Sequence, residues 1–268
     1  MLHEPSSSTS LAPTAATILA AGLGRRLGGR PKAALHIGGT SLLEQLVNLL
    51  RDAGVEEISV VIGPYHDTLL PLVNRCGAHA LVHGRPDTLL IESQRLAVQA
   101  HLDRWHGHDL LLVLADLPLL GVADVRLLLD VWRRRPANIH AQMPMVDGVR
   151  GHPLLLSWHA VGQVAATPAH LGIRDWLARL PDLVQPFVTL RRSFITDLDT
   201  PNDLAELQML LHPQPVGWPA PWGASHGVES MPMVPSVAHQ PPRQRFRSTS
   251  LSSFIQASYP PLSGETQA

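Results

Sequence analysis

The stretch ATILAAGLGRRLGGRPKAALHIGGTSLLEQLVNLLRDAGVEEISVVIG, residues 16–63, decides the fold. It opens on the short apolar run ATILAA, passes through a glycine-rich basic loop, and enters SLLEQLVNLLRDAG, whose Leu42, Leu46 and Leu49 recur at helical spacing. Ser41 and Glu44 have capping-box spacing at its start and Gly54 stands at its end, so a helix is bounded on both sides. The apolar run EISVVIG follows. Strand, helix, strand with a crossover of this length is a βαβ unit, which requires parallel strands.

The pattern continues outward. DTLLPLVNRCG, SQRLAVQAHLDRW and VADVRLLLDVWRRR read as helices, and HALVHG and DLLLVLAD as strands. A two-residue turn at Asp147-Gly148 between extended runs predicts a hairpin, which would make the sheet mixed. IRDWLARL reads as a helix, QPFVTL and SFITDLD as extended, and TPNDLAEL as a last helix capped by Thr200 with Pro201 at its first position. The expectation is an α/β three-layer, Rossmann-like fold around a mostly parallel, mixed central sheet. It would span residues 14–211 and close near Leu211, after a disordered 1–13. From His212 to residue 268 the chain holds ten of its 24 prolines with no sustained periodicity, the composition of a disordered tail in which Trp218 and Trp222 are stray aromatics.

Composition narrows the function. The 268 residues are 45% hydrophobic and 16% charged, with formal net charge −1, which gives no bulk field for nucleic acid or anionic lipid. The longest apolar run, LLLVLADLPLLGV, carries Asp116 and is too short to cross a bilayer. Cys76 is the single cysteine and the N-terminus lacks a basic start followed by an apolar run, so a cytoplasmic protein is expected.

The chemistry concentrates in LAAGLGRRLGGRPKAAL, residues 19–35. Its glycines leave a strand and can turn backbone N–H groups toward an anion. A dinucleotide fingerprint would need glycine at Leu27, and a Walker A loop would need Gly-Lys-Ser/Thr where the chain reads GRPKA. What remains is a phosphate cradle armed with Arg25, Arg26, Arg30 and Lys32. Lys32 is the only lysine beside twenty arginines, which suggests a site that needs a compact ammonium. Asp116 ends a strand at the carboxyl edge, where open α/β sheets place their sites, and as a hard oxygen ligand it suits Mg²⁺. Asp197 and Asp199, two apart in an extended run, would share one face. Either is placed to complete the Mg²⁺ site opposite Asp116, and Asp199 is divided between metal and helix cap.

These letters resemble the MobA-like nucleotidyltransferases, in particular the molybdenum cofactor cytidylyltransferases. Residues 19–35 resemble the signature LAAGxGxRMGxxK. ADLPLL at 115–120 is similar to the family's Asp-x-Pro, GVRGHPLLL at 148–156 to its Arg-Gly-His-Pro, and DLDTPNDL at 197–204 to its Asp-Ile-Asp-Thr-Pro-Glu-Asp. Leu27 stands for the usual methionine and Asn202 for the usual glutamate, and LLIESQRLAV keeps only Ser93 and Arg95 of the serine-rich segment. The resemblance implies Mg²⁺-dependent transfer of CMP from CTP to the phosphate of molybdopterin, with pyrophosphate leaving. It implies catalytic Arg26, Lys32 and Asp116; nucleotide contacts at Leu19, Ala20, Ala21, Gly22, Gly24, Arg26, Lys32 and Ser93; acceptor contacts at Arg150 and His152; and Mg²⁺ on Asp116 and Asp197. Ala21 stands where guanylyl-transferring relatives usually have glycine, which favours CTP. Guanylyl or other transfer to a different phosphorylated acceptor is the runner-up, and a non-catalytic carrier serving a molybdoenzyme is the alternative of another class.

Overall fold

The computed structural model describes residues 12–85 and 89–223. Its strands are β1 (Thr14–Leu19), β2 (His36–Ile37), β3 (Thr40–Ser41), β4 (Ile58–Ile62), β5 (His79–Val82), β6 (Asp109–Leu114), β7 (Ala141–Val146), β8 (Val149–Arg150), β9 (Leu154–Leu156), β10 (Val184–Val188) and β11 (Val216–Gly217). The helices are α1 (Leu42–Asp52), α2 (His66–Arg75), α3 (Leu90–Arg104), α4 (Val122–Arg133), α5 (Trp158–Ala165), α6 (Ile173–Arg179) and α7 (Pro201–Leu211).

The main sheet runs β10-β7-β9-β6-β1-β4-β5, with β8 paired to β7. β1 lies parallel to both β4 and β6, matching Leu19 to Val61 on one side and to Leu114 on the other. β9 is antiparallel to β6 and β7, and β10 is parallel to β7. The expected mixed, mostly parallel sheet is therefore present. The hairpin is there too: Asp147 and Gly148 both have positive φ, 49° and 76°, as a two-residue turn that follows strand twist requires.

Successive residues of the central strands enter two different cores, so both faces must be apolar. Ile18 and Val113 pack with α1, α2 and α4, whereas Leu19 and Leu112 pack with α3, α5 and α6. The result is three layers. Ser41 caps α1 as expected: its hydroxyl accepts from the Glu44 N–H while a Glu44 carboxylate oxygen accepts from the Ser41 N–H at 3.1 Å.

Two expectations are corrected. SFITDLD is not a strand: Arg192–Phe194 form a 3-10 turn and 195–199 have no regular structure. The Leu198 N–H instead donates to the Asp116 carbonyl at 2.9 Å. Nor does the fold close at Leu211. β11 pairs antiparallel to β2 in a second, three-stranded sheet, and Trp218 is 7% exposed within the core. A short segment flanked by prolines hides its pairing because two paired residues are too few to show a period. Residues 224–268, and 1–11 of the expected N-terminal segment, lie outside the described residues.

Candidate active site

β1 is flanked by β4 on one side and β6 on the other, so the chain leaves β1 in one direction and returns to its other edge. The carboxyl ends of β1 and β6 therefore open a crevice at the topological switch point. The glycine-rich loop leaves β1 there, and Asp116 stands two residues beyond β6.

The loop is closed on itself. Leu27 and Gly29 donate backbone N–H to the Gly24 carbonyl at 2.8 and 3.1 Å. Gly24 has φ +56°, and a Cβ there would lie 2.0 Å from the Arg30 carbonyl oxygen, so no other residue fits the ring without opening it. Leu27 is buried and anchors the loop in the core. Lys32 then begins a 3-10 turn, Lys32–Ala34, with Pro31 as its cap.

Lys32 Nζ donates to Asp116 Oδ2 at 2.8 Å and also to Asp199 Oδ1, and Arg26 donates to Asp199 Oδ2. The Lys32 side chain is only 15% exposed and that of Arg26 is 61% exposed, so solvent screens the arginine pair far more. Burial works to lower the Lys32 pKa, but Asp116 and Asp199 outweigh it and raise it above the ordinary value. Burial also pushes Asp199 up, yet the Lys32 hydrogen bond, with the charges of Lys32 and Arg26, leaves its carboxyl below the usual range. Asp197 is the opposite case: burial, then the charges of Asp199 and Asp116, raise it.

Asp199 is thus the cation partner and not the helix cap, a role taken by Thr200 and by Asp203, whose carboxylate accepts from the Asp199 and Thr200 N–H groups. One oxygen of Asp116, Oδ1, is buried without a hydrogen-bond partner. An orphaned carboxylate oxygen, beside a second carboxylate whose negative charge is disfavoured, fits a hard divalent cation. Among the described residues no group of three or more His, Cys, Asp or Glu is arranged to hold a metal ion.

His152 comes to the same edge. Burial lowers its pKa, outweighing the nearby Asp116 charge and the Leu112 carbonyl, which raise it. Its Nδ1 is buried and unpartnered. Gly151 precedes it because a Cβ would lie 2.5 Å from the Phe194 carbonyl oxygen, the atom to which the His152 N–H donates at 2.9 Å. Arg150 is exposed on β8. Ser93 is buried in the first turn of α3, its hydroxyl 3.0 Å from His83 Nε2, and Arg95 reaches the Thr167 carbonyl instead of the crevice. Leu19 and Ala20 are buried, with the Leu19 carbonyl accepting from Ala115 and the Ala20 N–H donating to Val61. Ala21 is 8% exposed against Gly63, while Gly22 is exposed.

Tyr65 was not legible as a site residue. Its hydroxyl lies 2.8 Å from the Leu23 carbonyl and also reaches that of Gly29, tying both sides of the loop. The available signal was its position just past β4, at the carboxyl edge of the sheet.

Residues 16–184 match the MobA-like NTP transferase domain. The chain belongs to this family. As a MobA-like NTP transferase it is 29% identical over 206 residues to nicotine blue oxidoreductase of Paenarthrobacter nicotinovorans, covering 74% of this chain and 98% of that one. It is 33% identical over 156 residues to 2-C-methyl-D-erythritol 4-phosphate cytidylyltransferase of Streptomyces avermitilis, covering 56% and 62%. It spans only 23% of the bifunctional protein GlmU of Azorhizobium caulinodans, to which it is 35% identical over 104 residues. Among solved structures, Rv0371c from Mycobacterium tuberculosis H37Rv has a TM-score of 0.60 at 22% identity, covering 74% of this chain and 98% of that one. At that identity the likeness is one of fold. Another structure of Rv0371c is a manganese complex. No helix among the described residues is long and apolar enough to cross a membrane.

Proposed function

We propose that this MobA-like NTP transferase is a Mg²⁺-dependent enzyme that transfers CMP from CTP to the phosphate of molybdopterin, releasing pyrophosphate. The observation that carries the reading is the Lys32 ammonium held between Asp116 and Asp199 at the switch point, beside a loop closed by Gly24. Nucleotidyl transfer joins two anions and builds negative charge on the α-phosphoryl and on the departing pyrophosphate, so a preorganised cation there lowers the barrier directly. A carrier protein needs neither the half-buried lysine nor the orphaned carboxylate oxygen.

In this reading the loop's backbone N–H groups, Arg26 and Lys32 bind the triphosphate. An acceptor phosphate oxygen forms a bond to the α-phosphorus as the α–β bridging P–O bond breaks, and the bond's electron pair leaves with pyrophosphate. Lys32 follows the charge onto the α- and β-oxygens. Its ground-state partner Asp199 keeps Arg26 and Lys32 aimed before substrate arrives, at the cost of being displaced by it. Asp116 and Asp197 would hold Mg²⁺, which when bound supplies positive charge to the triphosphate. His152, with Arg150 on the hairpin, faces the acceptor. CTP is preferred because the Ala21 methyl, packed against Gly63, narrows the strand edge where guanylyl-transferring relatives usually have glycine, and because a cytidylyltransferase is among the named relatives. The molybdenum cofactor reading rests on the RGHP and DLDTPND motifs.

The test is pyrophosphate release from each of the four NTPs with Mg²⁺, with and without molybdopterin. Release with CTP that depends on molybdopterin is expected. Release with another triphosphate or acceptor would keep the reaction and overturn the substrates; no release from any pair would overturn the reaction.

A further inference from the structure

The segment after α7 returns to the glycine-rich loop and contacts it at Arg30 and Pro31. Val216 and Gly217 pair with Ile37 and His36, and the Gly38 N–H donates to the Pro215 carbonyl at 2.9 Å. Trp218 follows directly. Its indole Nε1 donates to the Pro31 carbonyl at 2.8 Å, and its ring lies 5.2 Å from the Arg30 guanidinium. Pro31 caps the turn that carries Lys32, and its carbonyl also accepts the Ala34 N–H at 3.1 Å. Trp222 meets the Tyr65 ring edge-on at 5.5 Å, and Tyr65 holds the Leu23 and Gly29 carbonyls. The Trp222 N–H closes a turn onto the Pro219 carbonyl at 2.9 Å, and Gly223 packs so tightly that a Cβ would lie 2.1 Å from the Trp218 carbonyl oxygen.

One run of chain therefore grips the loop twice. Asp199 takes the side chains of Arg26 and Lys32, and after α7 Trp218 takes a backbone carbonyl while Trp222 packs on Tyr65, whose hydroxyl meets the loop. We propose that Trp218 is a positioning residue for nucleotidyl transfer, fixing the backbone from which Lys32 reaches the reacting phosphates; this rests on the function proposed above. The need is physical. A glycine-rich loop has many accessible conformations, and a lysine's four-carbon stem adds more. An electrostatic contact acts on the transition state only if its charge is already in place, and a shift of about 1 Å is enough to lose much of it. The indole N–H and the guanidinium stacked on its ring both bear on the residues just before Lys32, which a purely space-filling aromatic would not do.

The experiment uses the full chain and compares W218F, which keeps an aromatic ring but lacks the N–H, with W218A and with V164A. Val164 is buried on the opposite face of the sheet, so V164A loosens the molecule without touching the loop. The readouts are hydrogen–deuterium exchange across residues 22–36 and steady-state kinetics. W218F should speed loop exchange roughly tenfold and lower kcat roughly five- to twentyfold, with KM for the triphosphate changed less than about threefold. V164A should lower Tm and leave loop exchange and kcat per folded molecule unchanged. Wild-type loop exchange in W218F overturns the proposal even if W218A fails to fold. Faster exchange with wild-type kcat overturns the positioning role. If the wild-type chain releases no pyrophosphate from any NTP, the function falls, while the exchange result still decides whether Trp218 holds the loop.

Discussion

At Lys32 a compact ammonium sits 2.8 Å from Asp116 Oδ2 and also reaches Asp199, in a side chain 15% exposed. Arginine would keep the charge but bring a longer planar fork, which pairs bidentately with these carboxylates or with the ground-state triphosphate and gains nothing in the transition state. K32R should lower kcat by roughly ten- to a thousandfold with much less effect on triphosphate affinity, read by steady-state kinetics after circular dichroism confirms folding; wild-type kcat would remove the case for the lysine. Asp197 carries the pH dependence. Burial and the neighbouring charges of Asp199 and Asp116 raise its pKa above the ordinary 3.8, so the folded state holds its proton more tightly than the unfolded one. Its contribution to stability is complete below the unfolded value and is lost as pH rises through the raised folded value. At pH 7, above the unfolded value, the raised pKa is a penalty, and D197N should raise Tm there by roughly 1–3 °C. The gain should shrink as pH falls toward the ordinary carboxylate range, and Mg²⁺-dependent turnover should drop. Thermal melts across pH 4–7 check the sign: a lower Tm for D197N at pH 7 would contradict it.

Between β1 and α1 the element that matters is the ring closed by Gly24. Alanine there would need a left-handed backbone and would press its methyl on the Arg30 carbonyl. The strain is worth about 1–3 kcal/mol, which a core of this size tolerates. The ring does not, because opening it turns its N–H groups away from the phosphates and releases Arg26. G24A should therefore keep a cooperative melt while nucleotide turnover falls by roughly a hundredfold or more, in the range of losing preorganised donors; a kinetic assay beside a thermal melt separates the two. The segment 195–199 works in the same way without regular structure. One backbone bond, from the Leu198 N–H to the Asp116 carbonyl, carries Asp197 and Asp199 to the end of β6.

Over the whole molecule, the last described segment is part of the domain. A chain ending at Leu211 loses β11, the buried Trp218 and the Trp222 contact with Tyr65, and should be less stable than a chain ending at Gly223 by about 3 kcal/mol or more, on the scale of removing a buried aromatic. Chemical denaturation of the two chains measures this, and equal stabilities would place the boundary back at Leu211. The layers, the order of strand and helix, the Ser41 capping box and the Asp147-Gly148 hairpin were all written locally. Periodicity, caps and positive-φ turns depend on neighbours a few residues away, and the glycine-rich loop announced itself by its glycines and its solitary lysine. What joined the loop to its partners was not local. Lys32 meets Asp116 across 84 residues and Asp199 across 167, and Trp218 meets Pro31 across 187. Such pairings leave no period in the chain. The sequence alone thus determined a βαβ-derived sheet with a cationic, glycine-rich loop at its edge. The tertiary structure decided that Asp199 faces the cations while burial and the charges of Asp199 and Asp116 raise the pKa of Asp197, and that Trp218 belongs to the core with Trp222 packed against it, because only packing of distant segments sets which charges and rings share one space.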